Sequence, residues 1–306
     1  MVPKNNKKNI KNMKKNIIIV TGGAGFIGSS LINFLIKKKI SQKIISIDNY
    51  STGDKKNHIK NNNVEYIRGE NRNIFKLLKN IKHNIHTIFH FGEYSRIFQS
   101  YKDYKKCIDY NINQSFNVIE FAKDNNIRII YSATSSVSGN QKYDKDLSPY
   151  SWSKSKNIEL IKNYNRWFNL RYELVYFYNV YGPNQIKNSR MSAVIGIFEN
   201  QYESKKPLTV VKPGNQKRDF THIDDIVRGC YLAWKKGKQK EYMLGTKINY
   251  TIYQIAKMFK TKIKFLPKRP GDRKISLIIN DNAEKILGYK PEKNIKDYIK
   301  EFIKNN

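Results

Sequence analysis

The chain has 306 residues, 39% of them hydrophobic and 13% aromatic, which is enough for one large or two smaller packed domains and excludes disorder throughout. Its 58 Lys and Arg against 25 Asp and Glu give a formal charge of +33, but only 11 of the basic residues are Arg and the Lys are scattered among Asn and Ile along the whole length. Lys, Asn and Ile share A/T-rich codons, so the charge reads as composition rather than a patch for nucleic acid, while two cysteines exclude a disulfide framework.

No apolar stretch approaches the length of a membrane span, so the expectation is a cytoplasmic protein with neither a membrane nor a nucleic-acid partner, and no metal. Residues 1–14, polar and Lys-rich, are expected to form a disordered basic extension.

The first strand, over 16–21, runs into Thr21-Gly22-Gly23-Ala24-Gly25-Phe26-Ile27-Gly28 and then a helix over 26–39. Gly23-x-Gly25-x-x-Gly28 suits a dinucleotide: it permits a tight turn, close approach of backbone to pyrophosphate and close helix packing, while the helix N-terminus offers free N–H groups. Asp48 ends the next strand, over 43–48, twenty residues past Gly28. A carboxylate there suits both ribose hydroxyls and repels a 2′-phosphate, so NAD is expected rather than NADP. Gly22, Phe26, Ile27 and Asn49 complete the expected cofactor contacts.

Strands are further expected at 64–68, 87–91, 127–132 and 174–178, with helices at 74–80, 104–123 and 150–168. This alternation makes the fold class α/β, a Rossmann-type doubly wound parallel sheet. After Gly182 the elements shorten and Pro and Gly punctuate them. The expected division is a dinucleotide domain over 15–182 and a smaller mixed α/β C-terminal substrate lobe over 183–306, some of whose segments return to the first domain.

Tyr150 and Lys154 in Tyr150-Ser151-Trp152-Ser153-Lys154 stand one helical turn apart on the same face, after a strand ending near Thr134. A Tyr of ordinary pKa near 10 is a poor base at neutral pH, and lowering it by about three units takes on the order of 4 kcal/mol. A Lys ammonium and a positive nicotinamide ring can supply that, and Thr134 can share the proton with a substrate oxygen.

With the motifs TGGAGFIG, IDNYSTG, FHFGEYSRI, YSATSSVSG, SPYSWSK, YNVYGP, KRDFTHIDDI and KRPGD in order, residues 15–304 resemble the extended short-chain dehydrogenase/reductase family, in its nucleotide-sugar epimerase/dehydratase branch. The resemblance implies NAD as cofactor, a nucleotide sugar as substrate and a homodimer formed through the helices at 104–123 and 150–168. It marks Thr134, Tyr150 and Lys154 as catalytic, with Lys154 also holding the nicotinamide ribose. Asn179, Arg218 and Arg269 are implied diphosphate contacts and Asp272 the acid on the substrate ribose; guanidinium forks suit phosphate, and a carboxylate suits a diol. His222, Asp224 and Asp225 read as a helix cap, His90 as a hydrogen-bonded core residue, and Asn111 as the holder of a helix kink.

The two residues after Thr134 suggest which member of the branch this is. Relatives that dehydrate carry Asp-Glu there and decarboxylases a Glu at the second place, but this chain has Ser135 and Ser136. A site without those acids oxidises and re-reduces a carbinol, so the expected activity is UDP-hexose 4-epimerisation, UDP-glucose to UDP-galactose, with Tyr150 taking the 4-OH proton. The alternatives are another nucleotide-sugar epimerase, reductase or decarboxylase on this fold, or a basic RNA-binding or regulatory protein without catalysis. Ser276 stands where a bulky Tyr excludes N-acetyl groups in some relatives, so N-acetylated sugars are expected to fit. Glu70, Glu93, Tyr94 and Arg96 depart from the family pattern; Glu93 and Arg96 are expected either to meet substrate or to pair with each other.

Overall fold

The computed structural model describes residues 15–138, 147–269 and 274–306; the extension over 1–14 and Asp272 lie outside them. The first half of the chain runs β1 (Ile17–Thr21), α1 (Phe26–Lys37), β2 (Lys43–Asp48), β3 (Val64–Arg68), α2 (Ile74–Leu77), β4 (Ile85–His90), α3 (Ile97–Lys102), α4 (Tyr104–Ile108), α5 (Ser115–Asp124), β5 (Arg128–Thr134), α6 (Pro149–Phe168) and β6 (Tyr172–Phe177). The second continues with α7 (Val194–Glu203), β7 (Leu208–Val211), β8 (Lys217–Asp219), α8 (Ile223–Lys236), β9 (Glu241–Leu244), β10 (Asn249–Thr251), α9 (Ile252–Met258), β11 (Ile263–Leu266), α10 (Asn282–Leu287) and α11 (Ile295–Lys304).

Seven strands form one sheet in the order β3-β2-β1-β4-β5-β6-β9, every neighbouring pair parallel. The fold is therefore the expected doubly wound α/β type. Chain order runs outward in opposite directions from the β1–β4 pair, so the carboxyl ends of these two strands flank the crevice where such sheets bind ligands. Thr21 and His90 sit opposite each other at that edge.

Strand residues alternate between two buried faces. Ile19, Ile45, Ile88, Ile129 and Leu174 pack against Ile74, Val118 and Ile161 from α2, α5 and α6. Ile18, Val20, Ile44, Phe89, Ile130 and Val175 pack against Leu31 and Leu35 of α1 and Ile226 and Cys230 of α8. Thus α8 covers the main sheet and β9 extends it beside β6. Helix α10 joins α8 on that face through Ala283 and Leu287. The other C-terminal elements form a separate core around Phe198, Leu208, Phe220, Ile255 and Phe259, with β8 and β10 antiparallel and β7 and β11 parallel.

Three elements differ from the sequence expectation. The helix expected over 104–123 is broken into α4 and α5 by a π-helical segment, Asp109–Gln114. Its widened turn accompanies a polar tie: Asn111 Oδ1 accepts from Tyr94 N at 2.7 Å, and its Nδ2 donates to Tyr94 O at 3.1 Å and Ser153 Oγ at 3.0 Å. Asn111 therefore holds the break, as expected. Helix α3 was not expected, being six residues long with little periodicity to read, and α2 stops at Leu77 instead of reaching Asn80.

Candidate active site

The turn between β1 and α1 is shaped by close backbone packing. Gly22 has φ +70°, and a Cβ there would lie 2.8 Å from Gly92 Cα; a Cβ on Gly28 would lie 2.2 Å from Gly22 O. Gly25 differs, since a Cβ there would meet nothing nearer than Gly22 O at 3.2 Å. It faces a cavity of about 500 Å³ that runs from the glycine turn past Asp48 and Asn49 to Tyr150.

The Asp48 carboxylate, 7% exposed, accepts from Ala24 N at 3.0 Å and Tyr50 N at 2.7 Å. Burial raises its pKa, and these backbone N–H groups oppose the rise. Asn49 Nδ2 donates to Tyr110 OH at 3.2 Å, and Glu70 pairs with Arg72 at 2.5 Å.

Tyr150 and Lys154 ride on α6, which starts with Pro149 after Ser148, whose side chain accepts from Ser151 N at 3.0 Å. The four-residue spacing puts both side chains over the carboxyl edge of β5, where Thr134 ends the strand. Ser100 Oγ of α3 accepts from Tyr150 N at 3.2 Å, so the unforeseen helix α3 fixes the start of α6. Burial pushes the Tyr150 phenol up to about 12; a hydrogen bond with Thr134 and the Arg96 guanidinium oppose this, and the Glu93 carboxylate adds to it. Thr134 Oγ1 is also 2.8 Å from Ser136 Oγ.

The Lys154 ammonium is engaged by the Glu93 carboxylate, both side chains being almost wholly buried, and stands 4.2 Å over the Tyr131 ring. Glu93 Oε1 accepts from Ser115 Oγ at 2.8 Å, Tyr131 OH at 2.9 Å and Asn157 Nδ2 at 3.0 Å. His90 continues the network, Nε2 lying 2.9 Å from Ser115 Oγ and Nδ1 2.7 Å from Thr21 Oγ1. Burial lowers its pKa to about 4, so it is neutral at pH 7 and serves as the expected core histidine. Glu93 and Arg96 do not pair with each other: Arg96 Nε donates to Met191 O at 2.6 Å. Sequence reasoning singled out Glu93 but missed its partners Ser115, Tyr131 and Asn157; Tyr131 opens the motif YSATSSVSG, while no motif marks Ser115 or Asn157.

Asn179, Arg218 and Arg269 all line the same cavity. Asn179 Nδ2 donates to Asp219 O at 2.9 Å, Arg218 is 7% exposed, and the Arg269 guanidinium lies 4.7 Å over the Phe98 ring. His222 caps α8 by accepting from Asp224 N, and Asp225 accepts from the Glu292 and Lys293 backbone and from Arg228. Both roles are structural. Ser276 is 1% exposed and is not among the described residues lining the cavity.

The family model described as the NAD dependent epimerase/dehydratase family matches residues 18–245. The chain belongs to this family. It is 32% identical over 316 residues to an uncharacterized protein of Methanocaldococcus jannaschii, covering 95% of this chain and 96% of that one. Among solved structures it is similar to the UDP-glucose 4-epimerase of Thermotoga maritima with UDP-glucose, at 26% identity and TM-score 0.84 over 94% of this chain and 97% of that one. It is likewise similar to the UDP-glucuronic acid 4-epimerase of Bacillus cereus in complex with UDP-glucuronic acid and NAD, at 28% identity and TM-score 0.84 over 94% and 99%.

The protein is thus an enzyme of a family that acts on nucleotide sugars with NAD, and its residues fit that cofactor. Gly22 and Gly28 close the turn, Gly25 leaves backbone open to the cavity, and the buried Asp48 carboxylate lines the same cavity, where it could accept from a ribose diol. The difference between the glycines is testable. Gly25→Val should change stability by no more than about 1 kcal/mol yet weaken NAD binding more than about tenfold, or ~1.4 kcal/mol, in an equilibrium titration. Gly28→Val should fail to fold. Equal NAD affinity in Gly25→Val would remove Gly25 from the cofactor site.

No helix among the described residues is long and apolar enough to cross a membrane.

Proposed function

We propose that this enzyme is a nucleotide-sugar 4-epimerase that interconverts UDP-hexoses, with UDP-glucose and UDP-galactose as the pair to test first. The observation carrying this reading is that Thr134 and Tyr150 meet at the cavity while Ser135 and Ser136, not carboxylic acids, line the wall beside them. Elimination of water or loss of a carboxyl group calls for a further acid or base at that wall. Hydroxyls suffice to orient a carbinol.

NAD, when bound, supplies a reversible two-electron acceptor and a positive ring charge. The rest falls to the protein. Tyr150 takes the carbinol proton and returns it, and Thr134 hands the proton between phenol and sugar oxygen. Lys154, fixed by Glu93 at the cavity wall, would hold the cofactor ribose. Asn179, Arg218 and Arg269 tether the diphosphate, so that the oxidised sugar turns over without leaving. We read residues 15–182 as the cofactor domain and 183–306 as the substrate lobe, with α8, β9 and α10 returning to the sheet of the cofactor domain.

Exposed Tyr104, Phe116 and Trp152 on α4, α5 and α6 support a homodimer through these helices. Sedimentation at twice the chain mass checks it.

The test of the activity is incubation of the purified protein with UDP-galactose, with product analysis by chromatography and absorbance of reduced nicotinamide followed in parallel. UDP-glucose should form with no net change in nicotinamide absorbance. Reduced cofactor accumulating in step with sugar would make the enzyme a dehydrogenase, and carbon dioxide released from UDP-glucuronate would make it a decarboxylase.

A further inference from the structure

Arg96 is a cation at the reacting end of the cavity with no acidic partner among the described residues. It immediately precedes α3 and lines the cavity with Tyr150, whose phenol feels its charge. Its donors go to neutral oxygens: Nε to Met191 O at 2.6 Å and Nη1 to Ser95 O at 2.8 Å, with Ser95 Oγ at 3.4 Å. Nη2 makes no hydrogen bond among the described residues. The acids nearest in sequence are committed elsewhere, Glu93 to Lys154 and Asp103 to Arg190 and the Tyr94 hydroxyl.

A guanidinium in a partly desolvated site with only carbonyl acceptors is costly unless a ligand brings the missing charge. Diphosphate already has Arg218 and Arg269 in the proposed site. Arg96 stands instead with Tyr150, the group that must touch the sugar carbinol, so the anion it meets belongs to the sugar. The planar fork, with one free edge, suits a carboxylate. The neighbouring wall of Ser135 and Ser136 places no negative charge against one, and the carboxylates that do line the cavity, Asp48, Glu70 and Glu93, each have partners in the protein.

We propose that Arg96 recognises a carboxylate on the sugar ring, so that among the UDP-hexoses the enzyme prefers one with an acidic sugar, such as a uronic acid, over its neutral counterpart. The inference rests on the nucleotide-sugar reading of the site and narrows it.

Binding and turnover are measured separately. In Tyr150→Phe, whose binding site is kept, calorimetric titration with UDP-glucuronate and UDP-glucose should show the acidic sugar bound at least about tenfold tighter, ~1.4 kcal/mol, and Tyr150→Phe/Arg96→Met should lose that preference. In otherwise wild-type protein, Arg96→Met should raise KM for UDP-glucuronate about tenfold or more and leave that for UDP-glucose nearly unchanged, with Arg96→Lys restoring part of the difference.

Equal affinity for the two sugars in Tyr150→Phe overturns the inference. So does an equal fall of kcat on both sugars in Arg96→Met together with an alkaline shift of the pH profile, which would make Arg96 the counter-ion of the Tyr150 phenolate. If no UDP-sugar binds at all, the nucleotide-sugar assignment of the pocket fails instead.

Discussion

Tyr150→Phe should lower kcat by about 10²- to 10⁴-fold, the range spanned by loss of a positioned acid–base group, while the melting temperature and the NAD content of the purified protein stay close to wild type. The hydroxyl removed is the one that carries the proton. Its loss leaves the ring in its packing with Tyr94 and Cys107 and leaves Thr134 its contact with Ser136. The pH dependence has a definite sign. With burial holding the phenol at about 12 before any cofactor charge is added, Tyr150 is protonated at neutral pH. The rate of sugar oxidation should therefore rise with pH through the phenol's ionisation in the loaded enzyme, and the rise should begin below 12 because added positive charge lowers that value. A Tyr150→Phe protein that keeps more than about a tenth of wild-type kcat, or a rising limb that survives the substitution, would take the proton-transfer role away from Tyr150.

How far the sequence foretold this arrangement depends on the kind of signal. Glycines at a strand–helix turn and an acid at the end of the next strand are local patterns with one dominant physical use, and the structure places Gly22, Gly25, Gly28 and Asp48 around one cavity, with Gly23 packed against Ser46 behind them. The i, i+4 spacing of Tyr150 and Lys154 likewise follows from helix geometry alone. The parallel sheet was legible because doubly buried strands carry unbroken β-branched runs, as in Ile17–Thr21. The features that were not legible depend on contacts distant in sequence. Ser115 and Asn157 look like ordinary polar positions on helices, and only the fold brings them to Glu93. Helix α3 has no amphipathic repeat, yet it supplies Ser100 to the Tyr150 backbone and is preceded by Arg96 at the cavity. A kink at Asn111 was expected, but its π-helical form and the bonds Asn111 makes to Tyr94 and Ser153 were not, because a continuous 3.6-residue pattern conceals them.

Glu93→Ala should destabilise the protein by about 3–5 kcal/mol, the cost typical of removing one partner from a buried ion pair. Lys154 would remain inside the protein with its ammonium facing only the Tyr131 ring, a contact worth about 0.5–2 kcal/mol, and Ser115, Tyr131 and Asn157 would lose their shared acceptor. Burial already lowers the Lys154 pKa, opposed chiefly by Glu93, so without the carboxylate the ammonium would tend to shed its proton and the surviving side chain would be a neutral amine. The same substitution therefore disarms the residue expected to hold the cofactor ribose. NAD should be held more weakly, in a titration performed below the variant's melting temperature. Lys154→Met alone strands the carboxylate in the same way and should cost a similar amount. The decisive measurement is the double variant Glu93→Ala/Lys154→Met, studied by chemical denaturation: with both charges gone, its loss of stability should fall well short of the sum of the single losses. Additive losses would mean that Glu93 and Lys154 are not coupled in solution. In that case the ammonium would be free to supply its charge to Tyr150 directly, and the elevated proton affinity of the phenol would have to be set by burial without help from Glu93.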